Sequence, residues 1–212
     1  MNRKDQLQGL YAITDRGLAA DRDLTEQVTA ALQGGVRIIQ YRDKGSDRQR
    51  RLNEATQLLG LTQQHHALLI INDDVELASE SGADGVHLGK HDSDLEQARH
   101  RLGPDAIIGI SCYNRLDLAQ QAQQAGADYV AFGRFFPSQT KPQAIQATPE
   151  LLHRARLELN LPLVAIGGIT PENGAPLISA GADMLAVIHA VFGQPDIRQA
   201  CEQFRPIFAP GG

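Results

Sequence analysis

Four near copies of one short phrase do most to limit what this 212-residue chain can fold into. They are Gln33-Gly34-Gly35-Val36, Ser81-Gly82-Ala83-Asp84, Ala125-Gly126-Ala127-Asp128 and Ala180-Gly181-Ala182-Asp183. Each puts glycine where a helix should stop, because glycine enters the left-handed conformation at little steric cost. Each then leads directly into an apolar run. Ahead of the stops the apolar residues follow helical period: Leu24, Val28, Ala31 and Leu32 share one stripe, and Leu116, Ala119 and Ala122 share another.

The apolar runs themselves recur at roughly 20 to 30 residue spacing, the rhythm of βα units. We read strands at 9–13, 37–41, 68–71, 85–88, 107–110, 129–132, 163–166 and 184–188. Strands that alternate with helices require a parallel sheet, and eight of them close into a (β/α)8 TIM barrel, an α/β fold. An open doubly wound sheet is the alternative, but no Gly-x-Gly-x-x-Gly opens the first helix. No linker or shift in composition divides the chain. A single domain is therefore expected over residues 1–212, with a short polar leader at 1–8 and a loose tail at 209–212.

Composition narrows the function classes. The chain is 42% hydrophobic and 21% charged, as soluble globular proteins are. No apolar run approaches the length of a membrane span, and the first eight residues have no apolar signal core. A net charge of −5 without a long Lys/Arg run argues against a nucleic-acid surface. Cys112 and Cys201 have no metal spacing, so free thiols in a reducing cytoplasm are expected, with Cys112 in a packing role. Self-association into a homo-oligomer is compatible with the sequence.

In a barrel of this kind, polar residues at the carboxyl ends of strands collect in one site. The second strand ends in Gln40-Tyr41-Arg42-Asp43-Lys44. Alternation sends Gln40, Arg42 and Lys44 one way and Tyr41 and Asp43 the other. Two cations and an amide would bind a polyanion; the alternative is a solvated loop with a surface Arg–Asp pair. After the third strand come Asn72, Asp73 and Asp74, of which Asp74 suits the cap of the next helix and Asp73 is left as a ligand. After the fourth, Ser93 or Asp94 can cap, leaving Asp92. Carboxylates such as Asp73 and Asp92 are hard oxygen ligands that suit Mg²⁺ beside substrate phosphates. His87 and His91 lack the spacing of a zinc site, so His87 is read as a satisfied core histidine, and His65-His66 as surface residues at the opposite rim.

The remaining strand ends add donors. Ser111 is a hydrogen-bond donor to substrate, and becomes a nucleophile only if a base stands beside it. The segment after the sixth strand is long, without helical signal until Thr148-Pro149, and carries Ser138, Gln139, Thr140 and Lys141. Gly167 and Gly168 after the seventh strand, with Ile188 and His189 after the eighth, fall where barrels of this type bind phosphate through backbone N–H groups.

Taken together, Gln40-Tyr41-Arg42-Asp43-Lys44, Ile71-Asn72-Asp73-Asp74, Gly85-Val86-His87-Leu88-Gly89, Phe136-Pro137-Ser138-Gln139-Thr140-Lys141 and Ala165-Ile166-Gly167-Gly168-Ile169 resemble the thiamine-phosphate synthase family over nearly the whole chain. The resemblance implies a transferase of thiamine biosynthesis that joins a pyrimidine diphosphate to a thiazole phosphate and releases pyrophosphate. It implies that Gln40, Tyr41, Arg42, Asp43, Lys44, Asn72, Ser111 and Lys141 hold the pyrimidine diphosphate. Asp73 and Asp92 would hold Mg²⁺, and Ser138, Gln139, Thr140, Gly168, Ile188 and His189 the thiazole phosphate. Arg42, Lys44, Ser111 and Lys141 would serve the chemical step, in which the pyrimidine ionises before the thiazole nitrogen captures it. The chain departs from the usual family pattern at Lys90-His91, at Ser138 in place of Thr, and at His189 in place of Ser. Rival readings are a thiazole tautomerase, a non-catalytic paralogue that binds thiamine-pathway phosphates, and another phosphate-binding barrel such as an epimerase or an indole-forming enzyme. The last would need an acid/base pair. The Asp73/Asp92 pair with Arg42 and Lys44 favours the synthase over the tautomerase.

Overall fold

The computed structural model describes residues 3–18, 22–89, 94–137 and 145–209. Eight parallel strands pair in chain order: β1 (Gly9–Ile13), β2 (Ile38–Tyr41), β3 (Leu68–Asn72), β4 (Gly85–Leu88), β5 (Ile107–Tyr113), β6 (Tyr129–Gly133), β7 (Leu163–Ile166) and β8 (Met184–Val187). β8 pairs back onto β1, which closes the expected barrel. The return segments carry α1 (Leu24–Gln33), α2 (Arg48–Gln64), α3 (Val75–Ser81), α4 (Leu95–Leu102), α5 (Leu116–Gln124), α6 (Pro149–Glu158) and α7 (Ala175–Ser179). Two helices, α8 (His189–Phe192) and α9 (Ile197–Glu202), follow the last strand.

The strands differ from expectation at their ends. β5 runs on to Tyr113 because its register shifts between Ser111 and Tyr113, where Tyr113 adopts φ 55°. β8 stops one residue early, because Ile188 turns out of extended geometry to cap α8.

Period-two alternation divides the apolar residues into two cores. Leu10, Ala12, Ile39, Leu69, Val130 and Phe132 point outward and pack under the helices. Tyr11, Ile13, Ile38, Ile70, Ile107 and Tyr129 point inward and fill the barrel. Room for Tyr129 comes from a neighbour. A Cβ on Gly109 would lie 1.9 Å from the Tyr129 ring carbon Cζ, so this inward position of β5, between Ile107 and Ser111, must be glycine.

Three of the repeated phrases end in an aspartate, and all three do the same work. The Asp84 carboxylate accepts the Leu69 N–H at 2.8 Å, Asp128 that of Ile108 at 2.8 Å, and Asp183 that of Leu163 at 2.7 Å. Each carboxylate thus clasps the start of its own strand to the start of the strand before it. Arg99 and Lys4 flank Asp128 at 2.7 and 2.6 Å, and Arg156 flanks Asp183. The short leader is part of this rim rather than a free end: Leu7 is buried against the barrel core, and residues Arg3–Gln6 form a 3-10 turn.

Caps place the functional turns. Asp74 accepts the Leu77 N–H at 2.9 Å and starts α3, while Arg51 pairs with it at 2.9 Å. Asp94 caps α4 in the same way. We expect Asp74→Ala to cost about 1 kcal/mol, the usual value of a lost N-cap. Thermal unfolding should show Tm lower by roughly 2–4 °C; an unchanged Tm would remove the cap from the account. Both cysteines are buried and unpaired. Burial, reinforced by Asp117, pushes the Cys112 thiol up to about 12, so it stays protonated in its packing role.

Candidate active site

The carboxyl ends of the strands surround a cavity of about 1010 Å³, lined by residues from all eight strand ends. Gln40, Arg42, Asn72, Ser111, Gly168, Ile188 and His189 all reach it. A second, smaller cavity of about 530 Å³ lies alongside and is lined by Asp43, Lys44, Asn72, Asp73, Asp74 and Arg101. Asn72 borders both, so the two meet at the end of β3.

This division corrects one expectation. Lys44 does not stand beside Arg42 in the larger cavity; it lies in the smaller one with Asp73. Alternation holds only while the backbone is extended, and β2 ends at Tyr41. Tyr41 faces the helices: its hydroxyl donates to Glu54 at 2.5 Å, and burial raises its pKa. Asp43 is tied down by the Gly45 N–H at 2.6 Å and by Arg50 at 2.6 Å. Burial pulls the Asp43 carboxyl up, but the Gly45 amide and Arg50 outweigh it and hold it below the usual range. Tyr41 and Asp43 therefore brace the turn that presents Arg42.

Arg42 is held on two sides. Its N–H donates to the Thr14 hydroxyl at 3.0 Å, and its guanidinium meets Asp15 at 3.2 Å. Asp15 lines the cavity too. It was missed as a site residue, although it is the carboxylate just past the first strand, the same signal that singled out Asp73.

Asp73 adopts φ 63°, a left-handed conformation that Asp tolerates better than most residues. Its N–H donates to the His87 carbonyl at 2.8 Å, tying the β3 turn to β4. Among the described residues no group of three or more His, Cys, Asp or Glu side chains could share a metal ion. Asp92, Ser138, Gln139, Thr140 and Lys141 lie outside the described residues. The smaller cavity that Asp73 lines also presents the Asn72 amide and the carboxylates of Asp43, Asp74 and Glu76, hard oxygen groups that fit Mg²⁺ and not a soft metal.

Ser111 does have an imidazole beside it, with its Oγ 2.8 Å from His87 Nε2. The condition set for a nucleophile is met in distance but not in chemistry. The other ring nitrogen, Nδ1, meets the Tyr129 hydroxyl at 3.0 Å rather than a carboxylate, and burial raises the Tyr129 pKa. A neutral phenol cannot stabilise an imidazolium as the acid of a Ser-His-Asp triad does. His87 is satisfied at both ring nitrogens, as expected, yet it also faces the cavity.

At the far side, Gly168 has φ 66° and a Cβ there would stand 2.3 Å from the Pro137 carbonyl oxygen. A Cβ on Gly167 would likewise stand 2.4 Å from the Arg134 Cβ. The glycine pair thus seats the chain leaving β6, whose Phe135 and Phe136 N–H groups donate to Ile166 and Gly167. A bulky substituent at Gly168 would displace this segment first. Nearby, α8 begins at His189 with no side-chain cap for its first N–H groups.

The chain is also similar to known proteins of one family. The profile of the family described as "Thiamine monophosphate synthase" matches residues 10–191. A thiamine-phosphate synthase of Nitrosococcus oceani is 56% identical over 95% of this chain and 93% of its own. That of Thiobacillus denitrificans is 52% identical over 95% of each. Among solved structures, a thiamine phosphate pyrophosphorylase from Pyrococcus furiosus superposes with a TM-score of 0.88 at 37% identity, covering 97% of both chains.

Proposed function

Because the chain belongs to the thiamine monophosphate synthase family, we propose that its two joined cavities hold the two halves of thiamine phosphate while they are linked. The reaction is a transfer: the pyrimidine methylene carbon leaves pyrophosphate and is taken up by the thiazole nitrogen. The larger cavity would take both rings, with Gln40 and Ser111 on the pyrimidine. The thiazole phosphate would lie near Gly168, Ile188 and His189, and Ser138, Gln139 and Thr140 would serve as further hydrogen-bonding groups for it. The observation that carries this reading is the junction at Asn72, where a cavity roomy enough for two substrates meets a smaller one holding Lys44 and Asp73.

The chemistry follows from where the charge goes. As the carbon–oxygen bond breaks, negative charge gathers on pyrophosphate and positive charge on the electron-rich pyrimidine. Arg42, Lys44 and Lys141 would bind the leaving group more tightly as its charge grows, which lowers the barrier. Asp73 and Asp92 would hold Mg²⁺, which offsets the same charge when bound. The thiazole nitrogen brings its own lone pair, so no side chain has to remove a proton before attack. Holding both substrates in register supplies much of the remaining acceleration. The cytoplasm is the proposed compartment, a choice supported by two unpaired buried thiols.

Incubation of the purified protein with both phosphorylated halves and Mg²⁺ is expected to yield thiamine phosphate and pyrophosphate in equal amounts. Removal of the metal by a chelator should abolish turnover, and added Mg²⁺ should restore it. No coupled product in the presence of Mg²⁺ would sink the reading, and full activity in excess chelator would sink the metal. With the thiazole phosphate alone, no isomerised product is expected, which separates the synthase from the tautomerase. Among the described residues, no helix is long and apolar enough to cross a membrane.

A further inference from the structure

A continuous row of side chains crosses the barrel floor beneath the larger cavity. Gln40 Nε2 donates to the Tyr11 hydroxyl at 2.7 Å, and that hydroxyl lies 2.9 Å from the Tyr129 hydroxyl. Tyr129 meets His87 Nδ1 at 3.0 Å, and His87 Nε2 meets Ser111 Oγ at 2.8 Å. The five residues come from β2, β1, β6, β4 and β5, so the row links two cavity-lining groups across the barrel. Its rings also pack on one another: Tyr11 and Tyr129 edge to face with centroids 6.1 Å apart, His87 stacked on Tyr129 at 5.6 Å.

Proton counting gives the row a direction. Each phenol has one hydrogen, and burial raises the pKa of both, which keeps those hydrogens in place. Tyr11 receives a hydrogen bond from Gln40, so its own proton goes to the Tyr129 oxygen. Tyr129 then gives its proton to His87 Nδ1. The imidazole must therefore carry its hydrogen on Nε2, which it donates to Ser111. Reversing one link would leave a fully buried hydroxyl proton with no acceptor, a costly defect. The consequence appears at the two ends. The Ser111 hydroxyl proton is left to point into the cavity as a donor, and the Gln40 carbonyl oxygen is left as an acceptor.

We propose that Tyr11, Tyr129 and His87 are positioning residues that hold Ser111 as a donor and Gln40 as an acceptor. By doing so they select a ring that presents an acceptor beside a donor, as the ring nitrogen and amino group of an aminopyrimidine do. The selection rests on the function proposed above; the direction of the row does not. An oxopyrimidine presents the reverse pattern. To accept it, the imidazole would have to change tautomer, both phenols reverse and the Gln40 amide turn over. Sites built on fixed hydrogen bonds reject such reversed partners because buried polar groups are left unpaired.

Two measurements test this. Nitrogen NMR of the unmodified protein with labelled histidine, assigned by loss of one signal in His87→Gln, is expected to show His87 as the Nε2–H tautomer. The Nδ1–H tautomer would overturn the proposal whether or not the protein is a synthase. Calorimetry would then compare the aminopyrimidine diphosphate with its oxo analogue, which share the diphosphate contacts. The unmodified protein should prefer the amino compound at least 100-fold, and Tyr129→Phe should narrow that ratio at least tenfold while leaving the affinity for the thiazole phosphate within twofold. A ratio unchanged in Tyr129→Phe would make the tyrosine a packing residue and overturn the proposal. An unmodified protein that binds neither pyrimidine would instead refute the proposed function, and the tautomer would still decide the direction of the row.

Discussion

Replacing Arg42 with Ala is expected to lower kcat by roughly 100- to 1000-fold, the ~3–4 kcal/mol that loss of one donor to a developing anion typically costs. The guanidinium is already set at the cavity wall by Thr14 and Asp15, so it meets a growing charge without reorganising. Steady-state kinetics with both substrates should show the loss mainly in kcat, because the interaction strengthens as pyrophosphate departs. The contrasting possibility is that Arg42 and Asp15 form a pair with no part in the chemistry. Both side chains are partly open to solvent, 19% and 24% exposed, and such a pair contributes only ~0–1 kcal/mol. It would leave kcat untouched and shift Tm slightly. An unchanged kcat would take Arg42 out of the site.

Gly109→Ala should damage the fold more than any surface substitution. The new methyl would sit 1.9 Å from Cζ of Tyr129 and within 2.4 Å of both neighbouring ring carbons. Tyr129 has no solvent-exposed side to retreat to, since it is fully buried between Tyr11 and His87. Relief requires the ring to leave its rotamer or β5 to move, and overpacking of this kind costs about 3 kcal/mol or more. Thermal unfolding should show Tm lower by roughly 6–12 °C. Tyr129→Phe in the same chain should not recover the loss, because the clash is with the ring. Tyr129→Leu should recover part of it. Equal stability of Gly109→Ala and the parent would mean that the ring is not where the structure has it.

Residues whose role is decided by near neighbours were legible in the sequence. The glycine stops, the cap at Asp74 and the alternation of Gln40 and Tyr41 all depend on contacts or periodicity within a few positions, and these the structure reproduces. Legibility ended where the backbone left regular geometry. Lys44 follows the end of β2, so counting by twos lost its meaning there. Ser111 sits where β5 changes register. Contacts created only by closure of the barrel were invisible: Tyr11 and Tyr129 are 118 positions apart, and nothing local to either marks it as a partner of the other. Seen alone, each was an apolar ring on a strand. Asp15 is different, since it follows the first strand as Asp73 follows the third and was legible by the same signal.

The aspartate clasps divide the barrel unevenly. Asp84 ties β4 to β3, Asp128 ties β6 to β5, and Asp183 ties β8 to β7. The phrase before β2 ends in Val36, so that pair has no carboxylate of this kind. The strands are thus buttoned in twos, and among the described residues the seams between one pair and the next lack such a button. Opening the chain at the exposed Pro104-Asp105 turn would leave every button inside one piece or the other, whereas a cut between β5 and β6 would separate Asp128 from Ile108. Two fragments divided at the first place should reassemble into a working barrel more readily than two divided at the second. The repeated phrase that ends the helices therefore also marks where this barrel can be taken apart and rejoined.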